Sequence, residues 1–203
     1  MFAMPPVTRA LILINVAIFL LEQVAGRFLL DNFALYPLAD PRFHPWQLLT
    51  YGFLHEPNII WHILFNMFAL FMFGRSLENF WGGRRFLIYF LVCVLVAGVT
   101  QLIVTRTTPD VGATLGASGG VFGVLLAFGW FFPRQKLIVL PIPIPLPAWL
   151  VVSAYALLEL FFGVTGRQQS VAHFAHLGGM LGGILCIAYW RARGTFNSLP
   201  RQR

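Results

Sequence analysis

Three polar groups in an otherwise apolar chain carry the chemistry that this sequence offers: the hydroxyl of Ser118, the imidazole of His176, and the pair His62 and Asn66. A serine becomes a nucleophile when a base within hydrogen-bond reach takes its proton, and imidazole, which ordinarily titrates near ~6.5, suits that task at neutral pH. An anionic intermediate then needs hydrogen-bond donors. The backbone N–H of Ser118, the Asn66 amide and His62 are the candidates for that role. Ser118 stands in Gly112-Ala-Thr-Leu-Gly-Ala-Ser-Gly-Gly-Val-Phe-Gly123, a stretch with almost no side-chain bulk around the hydroxyl. Plainer readings exist for each group. A serine in a glycine-rich turn also serves as a helix N-cap, and a histidine inside a membrane, His62 or His173 here, also serves in packing. Gly116-Ala-Ser-Gly-Gly120 fits the elbow of soluble hydrolases, but that motif needs a preceding strand and a soluble sheet, and neither is visible.

The elements that must position these groups are membrane helices. Of the 203 residues 58% are apolar and 10% charged, with a mean hydropathy of +0.76, which excludes an ordinary soluble domain. Six apolar runs are predicted as spans: about 10–25, 58–73, 86–104, 118–132, 146–162 and 171–190, followed by a basic tail at 191–203, all in one domain covering 1–203. The first run contains Asn15 and Glu22 with no clear cleavage site after it, so it reads as a retained span. The net charge of +7 falls between the apolar runs and at the C-terminus, so it reads as topology signal and no nucleic-acid partner is expected. Cys93 and Cys186 lie inside apolar runs, so no disulfide, metal or cofactor is expected. The proline-rich run 140–147 reads as a stiff extended connector. The long connection 26–57, with Phe43, Trp46, Tyr51 and Phe53, is aromatic enough to sit in the interface. With a cytoplasmic N-terminus, ten Lys and Arg residues fall inside and four outside, which favours both termini inside.

Spans two, four and six then run in parallel. Their polar residues fall at one depth, since Ser118 lies 16 residues before Arg134, His176 15 before Arg191 and His62 13 before Arg75. At about 1.5 Å per residue these are roughly 20 to 24 Å from the inner face. An ionisable group so placed marks a functional site. Gly119, Gly123 and Ala127 give span four a small-residue face, and Gly178, Gly179, Gly182 and Gly183 give span six another, so the two helices can approach closely and bring Ser118 to His176. Glu159 and Glu56 are the nearest carboxylates by depth, but their spacing does not point either at His176, so a Ser-His dyad is expected. Arg75 and Glu78 read as a structural pair at the inner end of span two.

These residues resemble the rhomboid intramembrane serine proteases over nearly the whole chain. The resemblance rests on His62-Ile-Leu-Phe-Asn66, Gly116-Ala-Ser-Gly119, and Ala175-His-Leu-Gly-Gly179 with Gly183. It implies an all-α bundle of six transmembrane helices, catalytic Ser118 and His176, and an oxyanion site of His62, Asn66 and the Ser118 amide. It also implies a first loop partly in the outer leaflet, and a fifth span that, with its following loop, gates the entry of a substrate helix. Two departures stand out: Trp46-Gln47 where many members have Trp-Arg, and Phe122 where a Tyr is frequent. The expected activity is peptide-bond hydrolysis within single-span transmembrane proteins, with small residues preferred at the cut and a polar pocket opening outward beneath the first and fifth loops. The rival readings are a catalytically silent relative that binds membrane clients and a small transporter. No extra domain or seventh span is seen, which points to a compact prokaryotic-type protein of the inner membrane with cytoplasmic termini.

Overall fold

A computed structural model describes residues 4–106, 112–139, 142–166 and 172–195. The architecture is an all-α membrane bundle. Helix α1 (Pro6–Phe33) opens with a proline at its first position, where the missing N–H costs nothing, and bends at Ala25, whose φ of −122° and ψ of 27° lie outside the helical range. A short helix α2 (Gln47–Thr50) and a 3-10 turn (Tyr51–Phe53) lie in the first connection. The second apolar run is helix α3 (Ile60–Ala69), a π-helical turn (Leu70–Gly74) and helix α4 (Arg75–Trp81) in line. Gly82, at φ +84°, ends α4, and α5 (Gly83–Thr105) begins at once. Then come α6 (Ser118–Phe131), a hairpin of β1 (Lys136–Val139) and β2 (Ile142–Pro147), α7 (Ala148–Thr165) and α8 (His173–Ala192).

The six sequence-predicted runs thus become helices within a few residues, except that α1 extends well past residue 25 and the second run continues to Trp81. Residue 171, at the start of the sixth run, and residues 196–203 of the basic tail lie outside the described residues. Of the proline-rich run 140–147, residues 140 and 141 lie outside the described residues and 142–147 is extended as β2; Lys136 pairs with Pro147 and Leu137 with Leu146 in an antiparallel ladder, a small strand element that the all-helical expectation omitted. Among the described residues, four helical segments, Pro6–Phe33, Ile60–Trp81, Gly83–Thr105 and Ala148–Thr165, are long and apolar enough to cross a membrane, and Ser118–Phe131 is a shorter apolar helix.

Helix α5 is the centre. Phe86, Tyr89, Phe90, Cys93, Val94 and Ala97 are fully buried and repeat at three and four residues along its axis. Against it lie α6 and α8, and glycine decides how closely. A Cβ at Gly178 would come 2.6 Å from Thr100 on α5 and one at Gly182 3.2 Å from the Cys93 Cα. A Cβ at Gly179 would fall on the Gly119 carbonyl of α6. The span-six glycines therefore serve two neighbours: Gly178 and Gly182 face α5, while Gly179 faces α6. Tyr89 donates from its hydroxyl to the Gly123 carbonyl at 2.7 Å, tying α5 to α6. Outward-facing Leu20, Val24, Phe65, Phe68 and Leu157 are each more than 60% exposed, an apolar belt suited to lipid chains.

Part of the first connection packs into the bundle. Of its aromatic residues, Tyr51 is 1% exposed and donates to the Val94 carbonyl at 2.8 Å, whereas Trp46 is half-exposed. Gln47, in the place where an Arg was the familiar residue, is fully buried. Its amide donates to the Arg42 carbonyl at 2.8 Å and its carbonyl accepts from the His44 N–H at 3.2 Å. A neutral amide that donates and accepts satisfies this buried loop without carrying a charge into it. Glu78 corrects a second expectation. Instead of pairing with Arg75, its carboxylate accepts from the N–H groups of Val7 (2.9 Å) and Thr8 (2.6 Å) and from the Thr8 hydroxyl (2.7 Å). It caps α1, whose own first N–H groups have no helical acceptor.

Candidate active site

The first turns of α3, α6 and α8 meet, bringing His62, Ser118 and His176 together, with Asn66 one turn further along α3. Ser118 is the first helical residue of α6, with Ala117 as the cap and no side-chain capping bond. The N-cap reading of Ser118 therefore fails. Its Oγ lies 2.7 Å from His176 Nε2, a distance that close helix packing at Gly119 and Gly179 makes possible. The N–H groups of the first turn of α6 lack intrahelical acceptors by helix geometry, and the first intrahelical bond runs from Val121 N–H to the Ala117 carbonyl at 2.9 Å. Phe122, one turn on, stacks on the His176 ring at 4.3 Å and 7°.

His62 reaches the same spot from α3. Its Nδ1 accepts from the Glu56 backbone N–H at 3.4 Å, which leaves the proton of the neutral ring on Nε2. That nitrogen faces Gly116, where an added Cβ would stand 2.8 Å from His62 Nε2 and 3.6 Å from Ser118 Oγ. Gly116 has φ +125°, a conformation that any side chain would strain, and its N–H donates to the Tyr51 carbonyl at 3.0 Å. Asn66 is buried on the same helix and donates from Nδ2 to the His62 carbonyl at 2.9 Å; an amide nitrogen carries a second proton beyond that one.

Two residues here were missed in the sequence. Glu159 Oε2 lies 2.6 Å from His173 Nδ1 and 3.0 Å from His176 Nδ1. The first contact is a hydrogen bond; the second is close but out of line with the ring N–H, so His176 Nδ1 has a carboxylate beside it without an aligned bond. The expectation that no carboxylate reaches His176 is therefore wrong. Glu159 sits six residues before the end of α7 and His176 three residues into α8, so the short connection between them folds the two to one level; residues 167–171 of that connection lie outside the described residues. His55 is the second. A residue of the first connection, it is fully buried with its ring 5.0 Å from that of His62, and burial, with His62 beside it, pushes its imidazole down to about 3. Its backbone N–H donates to Glu22 of α1 at 3.0 Å. A separate cavity of about 510 Å³, lined by residues such as Glu22, Arg27, Asp31 and Tyr36, contains none of the Ser118 group.

Comparison with known proteins bears on this arrangement. The Rhomboid domain family profile matches residues 42–193, which include Ser118, His176, His62, Asn66 and Glu159. The chain belongs to the rhomboid family. It is 32% identical over 180 residues to the mitochondrial Rhomboid protein 1 of Saccharomyces cerevisiae, covering 87% of this chain and 51% of that protein. It is 26% identical over 197 residues to the Rhomboid protease GlpG of Photorhabdus laumondii, covering 97% and 65%. It is also 31% identical over 173 residues to the mitochondrial Presenilin-associated rhomboid-like protein A of Danio rerio, covering 82% and 44%. This rhomboid thus spans about half to two thirds of the length of these relatives. It is an integral membrane protein, and among its relatives are proteins named as proteases.

Proposed function

We propose that this rhomboid is an intramembrane serine endopeptidase. The observation that carries the reading is the 2.7 Å approach of Ser118 Oγ to His176 Nε2 across two glycine-packed helices. In this reading Ser118 Oγ attacks a peptide carbonyl and His176 Nε2 takes its proton. The oxyanion is met by the Ser118 N–H and His62 Nε2–H, with the second amide proton of Asn66 as a further donor. His176 then gives the proton to the leaving amine, and water admitted to the site hydrolyses the acyl-enzyme. Glu159 is a positioning residue: its carboxylate beside Nδ1 favours the tautomer with a free Nε2 lone pair, the one able to accept from Ser118.

The substrate class is a single-span membrane protein whose segment locally unwinds, because helical peptide bonds are shielded by their own hydrogen bonds. The glycines around Ser118 favour a small residue at the cut. Six spans in a single domain, both termini on the arginine-rich cytoplasmic side and an inner membrane of bacterial type complete the proposal; the same relatives include mitochondrial proteins. A serine-directed phosphonate tests the chemistry without a substrate. Labelling of the wild type that is lost in Ser118→Ala and His176→Ala supports it, and a folded wild type that stays unlabelled contradicts it.

A further inference from the structure

Glu159, His173 and His176 form a second constellation that the serine chemistry does not use in full. His173 and His176 are three residues apart on the first turns of α8, which puts both rings on one face, and Glu159 approaches that face from α7. Their donor atoms lie within 4.8 Å of one another, and both histidine side chains are at least nine-tenths buried. One carboxylate oxygen touches both Nδ1 atoms, and His176 Nδ1 has no aligned hydrogen-bond partner of its own. Two imidazoles and a carboxylate are a donor set that binds Zn²⁺, with an open fourth position for water.

The geometry points to a Zn²⁺ site made by Glu159 Oε2, His173 Nδ1 and His176 Nδ1, whose occupation turns off the serine. The zinc bond forms at the Nδ1 lone pair, so the single proton of the neutral His176 ring moves to Nε2. That nitrogen, 2.7 Å from Ser118 Oγ, then donates to the hydroxyl and has no lone pair to take its proton. One ion also bridges α7 to α8. The inhibition rests on the proposed Ser118–His176 chemistry; the metal site does not.

The test uses the full-length protein in detergent with Zn²⁺ alone as the probe. Competition against a chromophoric chelator measures binding, and phosphonate labelling across the same titration measures the serine. The expected result is one tightly bound Zn²⁺, retained in Ser118→Ala and His44→Gln and weakened at least tenfold in both His173→Gln and Glu159→Gln. Labelling of the wild type falls with the same midpoint and returns on adding a chelator. In His173→Gln the midpoint, taken relative to that variant's own zinc-free rate, rises at least tenfold. Thermal melts of each variant confirm that it is folded. Zinc binding that is unchanged in folded His173→Gln and Glu159→Gln overturns the site. Zinc binding at the site without any effect on labelling overturns the inhibition. A wild type that is unlabelled even without zinc removes the serine reading, and the chelator competition still decides the metal site.

Discussion

At the scale of single residues, the proposed mechanism makes Ser118 and His176 one unit, so their removal is expected to be non-additive. Ser118→Ala, His176→Ala and the double variant should each lower the cleavage rate by at least about 10³-fold and to the same floor. Rates that multiply in the double variant contradict the pairing. Glu159 should behave differently, because its contact with His176 is close but not aligned. Glu159→Gln is expected to lower kcat on the order of tenfold to a hundredfold with KM unchanged, short of the about 10⁴-fold that follows loss of an in-line carboxylate. Glu159→Asp should recover part of it. A loss expressed in KM alone would assign Glu159 to substrate binding instead. His55 gives a stability prediction with a definite sign. Its folded value of about 3 lies below the ordinary 6.5, so between those limits the unfolded chain binds a proton that the folded chain refuses. Stability should fall as pH drops through that window, by up to about 1.4 kcal/mol per pH unit, and should not respond to this group above it. Thermal melts across pH 4 to 8, flatter in His55→Gln than in wild type, are the check.

At the scale of elements, the decisive contact is α6 against α8. Gly179→Ala sets a methyl on the Gly119 carbonyl, so the helices must part and the Ser118–His176 distance must grow. Overpacking of this kind costs about 1 to 3 kcal/mol, and labelling of Ser118 should drop with it. Gly112→Ala, at a position where a Cβ meets nothing within 4 Å, should change neither. Equal effects of the two would show that helix spacing does not govern the site. Much of this was legible in the sequence. Counting residues from Arg75, Arg134 and Arg191 put His62, Ser118 and His176 at one depth, and small-residue spacing indicated that two helices meet. What spacing along one helix cannot supply is that helix's rotation about its axis relative to a neighbour. Glu159 was dismissed for that reason, although its six-residue distance from the α7 terminus and the position of His176 in the first turn of α8 matched it in depth. The same limit divided the α8 glycines between two neighbours. Loop residues were harder still: Gln47, Tyr51 and His55 are buried by contacts with α1, α5 and His62 that no periodicity within residues 34–59 encodes, and Glu78 found its partner some seventy residues earlier, at Val7 and Thr8.

At the scale of the whole molecule, a bundle centred on α5 brings the starts of α3, α6 and α8 together within an apolar belt, so the proposed chemistry is to be tested inside a bilayer. Orientation is separable from chemistry: a reporter fused after Arg203 should be active on the arginine-rich cytoplasmic side, and activity in the opposite compartment would invert the bundle without touching Ser118. The most direct test of the central claim is cleavage of a single-span substrate by the purified protein in liposomes, with wild type, Ser118→Ala and His176→Ala compared at equal folded concentration. Cleavage by the wild type within or beside the substrate's transmembrane segment, absent from both variants, is the predicted result. Cleavage that persists in folded Ser118→Ala would contradict it.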